Sequence, residues 1–140
     1  MQTLARSFGD YLSTYCWDHW VTLTPAFIDC GPRRLGRCFE RRFVRKMTQA
    51  AQRPVYWVNV IERSPAGIFH LHALLAGTIR LDESYIEGQW ELGRVVVERH
   101  DPSKGAAWYL AKTYGRGNEQ WERFNWTWLM PPKRSDRAAA

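Results

Sequence analysis

A chain of 140 residues fits one domain and is long enough to bury a real core. Its three cysteines, Cys16, Cys30 and Cys38, are an odd number with no C-x-x-C pair, which argues against a disulfide framework or a zinc knuckle. No apolar run approaches a membrane span and no signal peptide stands at the start, so a cytoplasmic protein without a membrane partner is expected. The formal net charge of +6 suits a polyanion. Eight tryptophans beside basic residues favour single-stranded nucleic acid, although most of them should fill the core.

Residues 1–18, with Phe8, Tyr11, Leu12 and Tyr15 at helical spacing, predict a short leading helix. His19 to Thr24 reads as a strand stopped by Pro25. Alternation puts Trp20, Thr22 and Thr24 on one face and Val21 and Leu23 on the other. The hydroxyls of Thr22 and Thr24 suit phosphates or bases, but threonine is also simply a good strand residue. After Gly31-Pro32, a helix is expected from about Leu35 to Gln52, with Leu35, Phe39, Phe43, Met47 and Ala50 as its buried stripe. Around that stripe lie Arg33, Arg34, Arg37, Arg41, Arg42, Arg45, Lys46 and Arg53, with Glu40 the only acid. A solvated face normally mixes signs. The one-sided charge points Arg37, Arg41 and Arg45 at DNA phosphates.

The centre of the chain carries the most specific pattern. Val55 to Glu62 and Ile68 to Leu75 read as two strands joined by the turn Arg63-Ser64-Pro65-Ala66-Gly67. In the second strand His70 and His72 share one face, while Phe69, Leu71, Ala73 and Leu75 line the other. Two neutral imidazoles on a rigid strand are a start for a divalent metal site. Two solvent-facing histidines would look the same. Pairing Glu62 with Ile68 brings that carboxylate to the histidine face, diagonal to His70. It is equally readable as an exposed residue at a strand end, and a one-residue slip would turn it away.

Asp82 is a cap for a short helix through Trp90, and a strand follows from Arg94 to His100. Asp101-Pro102 signals a helix start, and Ser103 to Tyr114 should be helical up to Gly115. Its apolar face is Ala107, Leu110, Ala111 and Tyr114. Tyr109 and Lys112 share a flank with Thr113 and Arg116, which leaves Tyr109 free for chemistry. Phe124 to Met130 predicts a final strand ended by Pro131-Pro132, so the domain spans 1–130 and residues 131–140 read as a disordered tail. The element order is that of a split βαβ plan: an α+β fold in which an antiparallel sheet has helices on one face and an open face bearing His70, His72, Glu62 and the threonines. His19 and His100 read as structural.

Three stretches, in order, resemble the three motifs of the HUH endonuclease superfamily in its replication-initiator (Rep) branch. Trp20-Val21-Thr22-Leu23-Thr24 is similar to the first motif, His70-Leu71-His72 to the metal motif, and Ala107-Trp108-Tyr109-Leu110-Ala111-Lys112 to the tyrosine motif. The match runs from about residue 19 to 116 and looks closest to plasmid and phage initiators with one tyrosine. The resemblance implies a five-stranded antiparallel sheet with flanking helices, ferredoxin-like or RRM-like in plan. It implies site-specific nicking and rejoining of single-stranded DNA at an origin stem-loop, starting rolling-circle replication. Tyr109 would be the nucleophile, assisted by Lys112, and His70, His72 and Glu62 would hold Mg²⁺ or Mn²⁺. Thr22, Thr24, Arg37, Arg41, Arg45 and Arg116 would contact DNA, and a host helicase or polymerase is allowed as a further partner. No helicase region is present, so the expectation is either a minimal initiator or the nuclease domain of a longer protein. Two other readings share parts of the pattern: a single-tyrosine transposase of the same superfamily, and a non-catalytic single-stranded nucleic-acid-binding module.

Overall fold

The computed structural model describes residues 4–26, 30–112, 124–126 and 131–135. Four antiparallel strands carry the fold: β1 (His19–Pro25), β2 (Tyr56–Arg63), β3 (Phe69–Ala76) and β4 (Gly93–Arg99). A three-residue strand, β5 (Phe124–Trp126), pairs with β2, giving the order β4-β1-β3-β2-β5. The expected sheet of five comparable strands is therefore four full strands and a short edge segment. Residues 127–130 of the expected last strand lie outside the described residues.

Strand β3 is central, hydrogen-bonded to β1 on one side and β2 on the other, and is buried from Leu71 to Ala76. Such a strand needs cover on both faces. On one face Val21, Leu23, Trp57, Ile61, Leu71, Ala73, Leu75 and Val97 pack against Leu35, Phe39, Phe43, Val44 and Met47. Those last five belong to one helical segment: α2 (Pro32–Cys38), a π-helical turn (Phe39–Val44) and α3 (Arg45–Ala51). The segment opens on Pro32, where a missing N–H costs nothing. The π turn has a visible cause. Leu35, Phe39, Phe43 and Met47 repeat every four residues, a spacing that drifts by about 40° per step on a helix of 3.6 residues per turn. A wider turn takes up that drift and keeps the stripe on the sheet. Ala50, expected to be buried, is exposed, because the stripe's last helical member in this core is Met47.

The second face is not open, as the split βαβ reading expected. Leu12, from α1 (Leu4–Ser13), and Ala107 and Leu110, from α5 (Ala106–Ala111), pack with Tyr15 and Trp17 over Val58, Val60, Leu74 and Ala76. Half of this face is apolar, so burying it is favourable. Helices thus flank the sheet on both sides. The two covering helices meet closely at Gly9, where a Cβ would collide with the indole of Trp108. The Trp108 Nε1–H donates to Asp10 Oδ1 at 2.8 Å.

The helix expected over Ser103–Tyr114 is broken. Pro102–Lys104 forms a 3₁₀ turn in which Asp101 Oδ1 accepts from the Ser103 N–H at 2.9 Å. Gly105 then takes φ +72°, a left-handed conformation that interrupts the helix before α5 begins. Beyond Lys112, Tyr114 and Gly115 lie outside the described residues. A short helix, α4 (Glu83–Gly88), precedes β4, and its cap position Asp82 makes no side-chain capping bond. The expected tail starts with docked backbone: Cys16 N–H donates to Pro132 O and Arg134 N–H to Thr14 O, both at 2.8 Å. Among the described residues no helix is long and apolar enough to cross a membrane.

Candidate functional site

The β2–β3 hairpin closes through Ser64, whose N–H donates to Ile68 O at 2.8 Å. Glu62 therefore stands directly opposite His70 and not opposite Ile68. The difference from the expected register is two residues, an even number, so the carboxylate stays on the histidine face. Its Oε2 lies 3.5 Å from His70 Nε2 and 3.4 Å from His72 Nε2. One ligand atom from each of Glu62, His70 and His72 lies within 4.8 Å of the other two.

His72 is held from two sides. Its Nδ1 is 3.0 Å from Thr22 Oγ1, its cross-strand neighbour on β1. Its ring stacks on Trp20, with centroids 5.4 Å apart and planes 10° from parallel. A proton on His72 Nε2 faces the Glu62 carboxylate, whereas the tautomer that donates from Nδ1 to Thr22 frees the Nε2 lone pair for a metal ion. Thr22 is thus part of the site, as a support for His72. Thr24 lies two residues on along the same face, with Arg94 of β4 as its partner.

Electrostatics make the cluster a cation site in waiting. The neighbouring imidazoles, His70 foremost and then His72, hold the Glu62 carboxyl well below the usual carboxylate range, against the opposing effect of burial. Despite that crowding, His72 Nε2 and Glu62 Oε1 are buried without a hydrogen-bond partner. Orphaned buried polar atoms are costly. Two in one cluster, supplied by an imidazole and a carboxylate, fit a divalent ion, which satisfies both at once. Glu62, His70 and His72 can hold a metal ion.

Helix α5 brings Tyr109 over this cluster. Its hydroxyl donates towards Glu62 Oε2 at 3.5 Å, a long contact, and the side chain is 41% exposed. The ring stands edge-on to His72, at 5.3 Å and 84°, and to Trp20, at 5.9 Å and 90°. Lys112 places its ammonium 3.6 Å from the centre of the Tyr109 ring and 3.9 Å from Glu62 Oε1. An ammonium at that distance over the ring makes a cation–π contact. Tyr109, Lys112, Glu62, His70 and His72 therefore converge.

The arginines do not. Arg37, Arg41 and Arg45 are exposed on the helical segment that packs against the opposite face of the sheet. Arg37 and Arg41, with Arg34, Arg42 and Cys38, line a concavity of about 300 Å³ there. Arg116 lies outside the described residues.

Several contributors went unrecognised in the sequence. Trp20 was visible as a same-face neighbour of Thr22, yet its stacking on His72 needed the fold. The support that α1 gives α5 carried no local signal. A cleft of about 350 Å³ beside Tyr109, reaching Glu98 and His100, is assembled from three separate stretches. His19 is fully buried, with Nδ1 2.6 Å from Thr78 Oγ1, and burial pushes its pKa down. A search for similar proteins among family models, curated proteins and solved structures finds no match.

Proposed function

We propose that this protein is an HUH-type endonuclease of the single-tyrosine replication-initiator kind. It nicks and rejoins single-stranded DNA at an origin through a 5′-phosphotyrosine intermediate. One observation carries the reading: an exposed phenol, Tyr109, stands 3.5 Å from the carboxylate of a His–His–Glu cluster able to bind metal. A buried structural tyrosine has no reason to sit there.

A phenol is mostly protonated at neutral pH, so it needs help to attack a phosphodiester. Lys112, with its ammonium 3.6 Å from the ring centre, stands close enough to contact the phosphate under attack. Glu62, held ionised, is a poor base and a good acceptor, so its work is to orient the phenol and bind the ion. Tyr109 Oη gives up its proton to solvent and attacks phosphorus in line, the bond from phosphorus to the 3′-oxygen breaks, and that oxygen takes up a proton from solvent. The products are a tyrosine ester of the 5′-phosphate and a free 3′-hydroxyl. The ester bond makes the reverse reaction, resealing, accessible. When bound by His70, His72 and Glu62, Mg²⁺ or Mn²⁺ supplies charge neutralisation at the scissile phosphate. His72 keeps its ligating edge fixed through Thr22 and Trp20.

The test uses a single-stranded stem-loop library with a randomised loop, Mn²⁺ and denaturing electrophoresis. A dye on the 3′ end should travel with the protein, whereas a dye on the 5′ end should be released on the fragment with the free 3′-hydroxyl. No adduct with either label would overturn the nuclease reading and favour a binding module.

A further inference from the structure

The cleft beside Tyr109 holds a carboxylate, Glu98, that a phosphate track does not explain. It lies where β1, β4 and the start of α5 converge, and Trp20 and Tyr109 form its aromatic side. Its volume, about 350 Å³, is in the range of small-ligand pockets. Of its charged groups, Arg99 is committed to Glu83 at 3.1 Å, and Asp101 to the N–H and hydroxyl of Ser103. Lys104 and Glu98 remain. Glu98 is the cross-strand partner of Trp20 and is exposed, and it makes no hydrogen bond or ion pair with any other described residue.

The Glu98 carboxylate repels phosphate where Lys104 of the same cleft attracts it, and it sits on a protein of net charge +6, next to the phenol that single-stranded DNA must reach. Repulsion of the backbone is useful only if the group reads something else. A carboxylate accepts hydrogen bonds, and the edge of an unstacked base donates them. Guanine fits best, because its ring N–H and exocyclic amino group are adjacent donors that one carboxylate can take together. Cytosine and adenine offer a single amino group, and thymine a single ring N–H. Charge-assisted bonds of this kind are stronger and more directional than neutral ones. The aromatic side supplies a stacking surface.

We propose that this cleft is a base-reading subsite that takes a guanine flanking the scissile phosphate, with Glu98 accepting from its Watson–Crick edge beside Trp20. The proposal rests on the nuclease reading for the position of the phosphate, but not for the binding itself. Equilibrium binding in chelator separates the two. The probes are labelled oligo(dT) and the same oligo(dT) carrying a single dG, dA or dC. A single dG should tighten binding by about tenfold over oligo(dT), and Glu98→Gln should erase that preference while leaving oligo(dT) affinity unchanged or slightly higher. Equal affinity for all four probes, or a dG preference that survives Glu98→Gln, would overturn the subsite. So would a uniform tightening in the variant, which would make Glu98 a mere electrostatic brake. If the dG preference follows Glu98 but no adduct ever forms, the subsite stands and the nuclease reading falls. If adducts form with no base preference near the nick, the nuclease reading stands and the subsite falls.

Discussion

The two faces of one strand behave oppositely. On β3, Leu71, Ala73 and Leu75 are sealed beneath the helical segment 32–51, with no exposure at all. One residue away on either side, His70 and His72 carry unpaired or loosely paired nitrogens beside Glu62. The second face is divided along its length: Leu74 and Ala76 go under apolar residues of α1 and α5, and beyond them the buried His72 and half-buried His70 form the polar cluster that Tyr109 of α5 overhangs. One face supplies the stability that lets the other keep a costly polar cluster in fixed geometry. That division predicts which substitutions damage chemistry and which damage folding.

The largest effect on chemistry is expected at Tyr109. Tyr109→Phe removes one oxygen from an exposed ring, so melting temperature and DNA affinity should stay within error of the parent protein. Adduct formation should fall by roughly three orders of magnitude or more. Mass spectrometry of the trapped parent adduct should place the nucleotide on Tyr109. Attachment elsewhere would refute the assignment.

His70→Ala with His72→Ala comes next. Both side chains lie on the polar face, so the fold should hold while nicking is lost. In the parent, Mn²⁺ should raise the melting temperature by preferential binding to the folded state. That rise should vanish in the double variant. A retained Mn²⁺ shift would move the metal away from these histidines.

The sealed face inverts the pattern. Leu71→Ala, between the two histidines, should cost about 2–5 kcal/mol as a cavity, read as a lower urea midpoint at unchanged slope. At a temperature where the variant is still folded, adducts should form at near the parent rate. A large loss of activity in fully folded protein would mean that the two faces are not separable.

These contrasts explain what the sequence could and could not disclose. Alternation is a two-residue signal, so the face shared by His70, His72 and Glu62 survived a two-residue error in the hairpin register. The four-residue repeat of Leu35, Phe39, Phe43 and Met47 announced the helix, but not the π turn that the repeat requires. Coverage of the second face was missed because α1 and α5 are about ninety residues apart in the chain, and Gly9 and Trp108 reveal their contact only in space. Helix charge was legible, whereas its side of the sheet was not. Arg37, Arg41 and Arg45 read as DNA contacts, yet they stand behind the sheet from Tyr109.

That placement sharpens the next expectation. Replacing Arg37, Arg41 and Arg45 with Gln should weaken binding to every single-stranded sequence alike and flatten its salt dependence by about 0.7 in slope for each lost phosphate contact. With saturating DNA the adduct rate should not change, because the substitutions lie on the face away from the phenol. An unchanged salt slope would return these arginines to ordinary solvation.

The smallest effect concerns the buried histidines. Burial lowers the pKa of His19 from its ordinary 6.5, outweighing the nearby carboxylates of Glu83 and Asp18. Burial acts the same way on His100. A base whose folded-state pKa is depressed binds fewer protons folded than unfolded. Stability from the neutral form is therefore complete above about pH 6.5 and falls as pH drops through that value towards the folded pKa. Each histidine can contribute a slope of at most about 1.4 kcal/mol per pH unit in that window. Glu62, lowered from 4.5, enters with the same sign only at more acid pH. Urea melts at pH 7.5, 6.5 and 5.5 should show the loss in the parent protein and a flatter profile in His19→Gln, which keeps a polar group near Thr78 but cannot take up the proton. The slope should be shallower again when His100→Gln is added. A parent profile that is flat from 7.5 to 5.5, or one unchanged by both substitutions, would mean that these imidazoles are already accommodated in charged form.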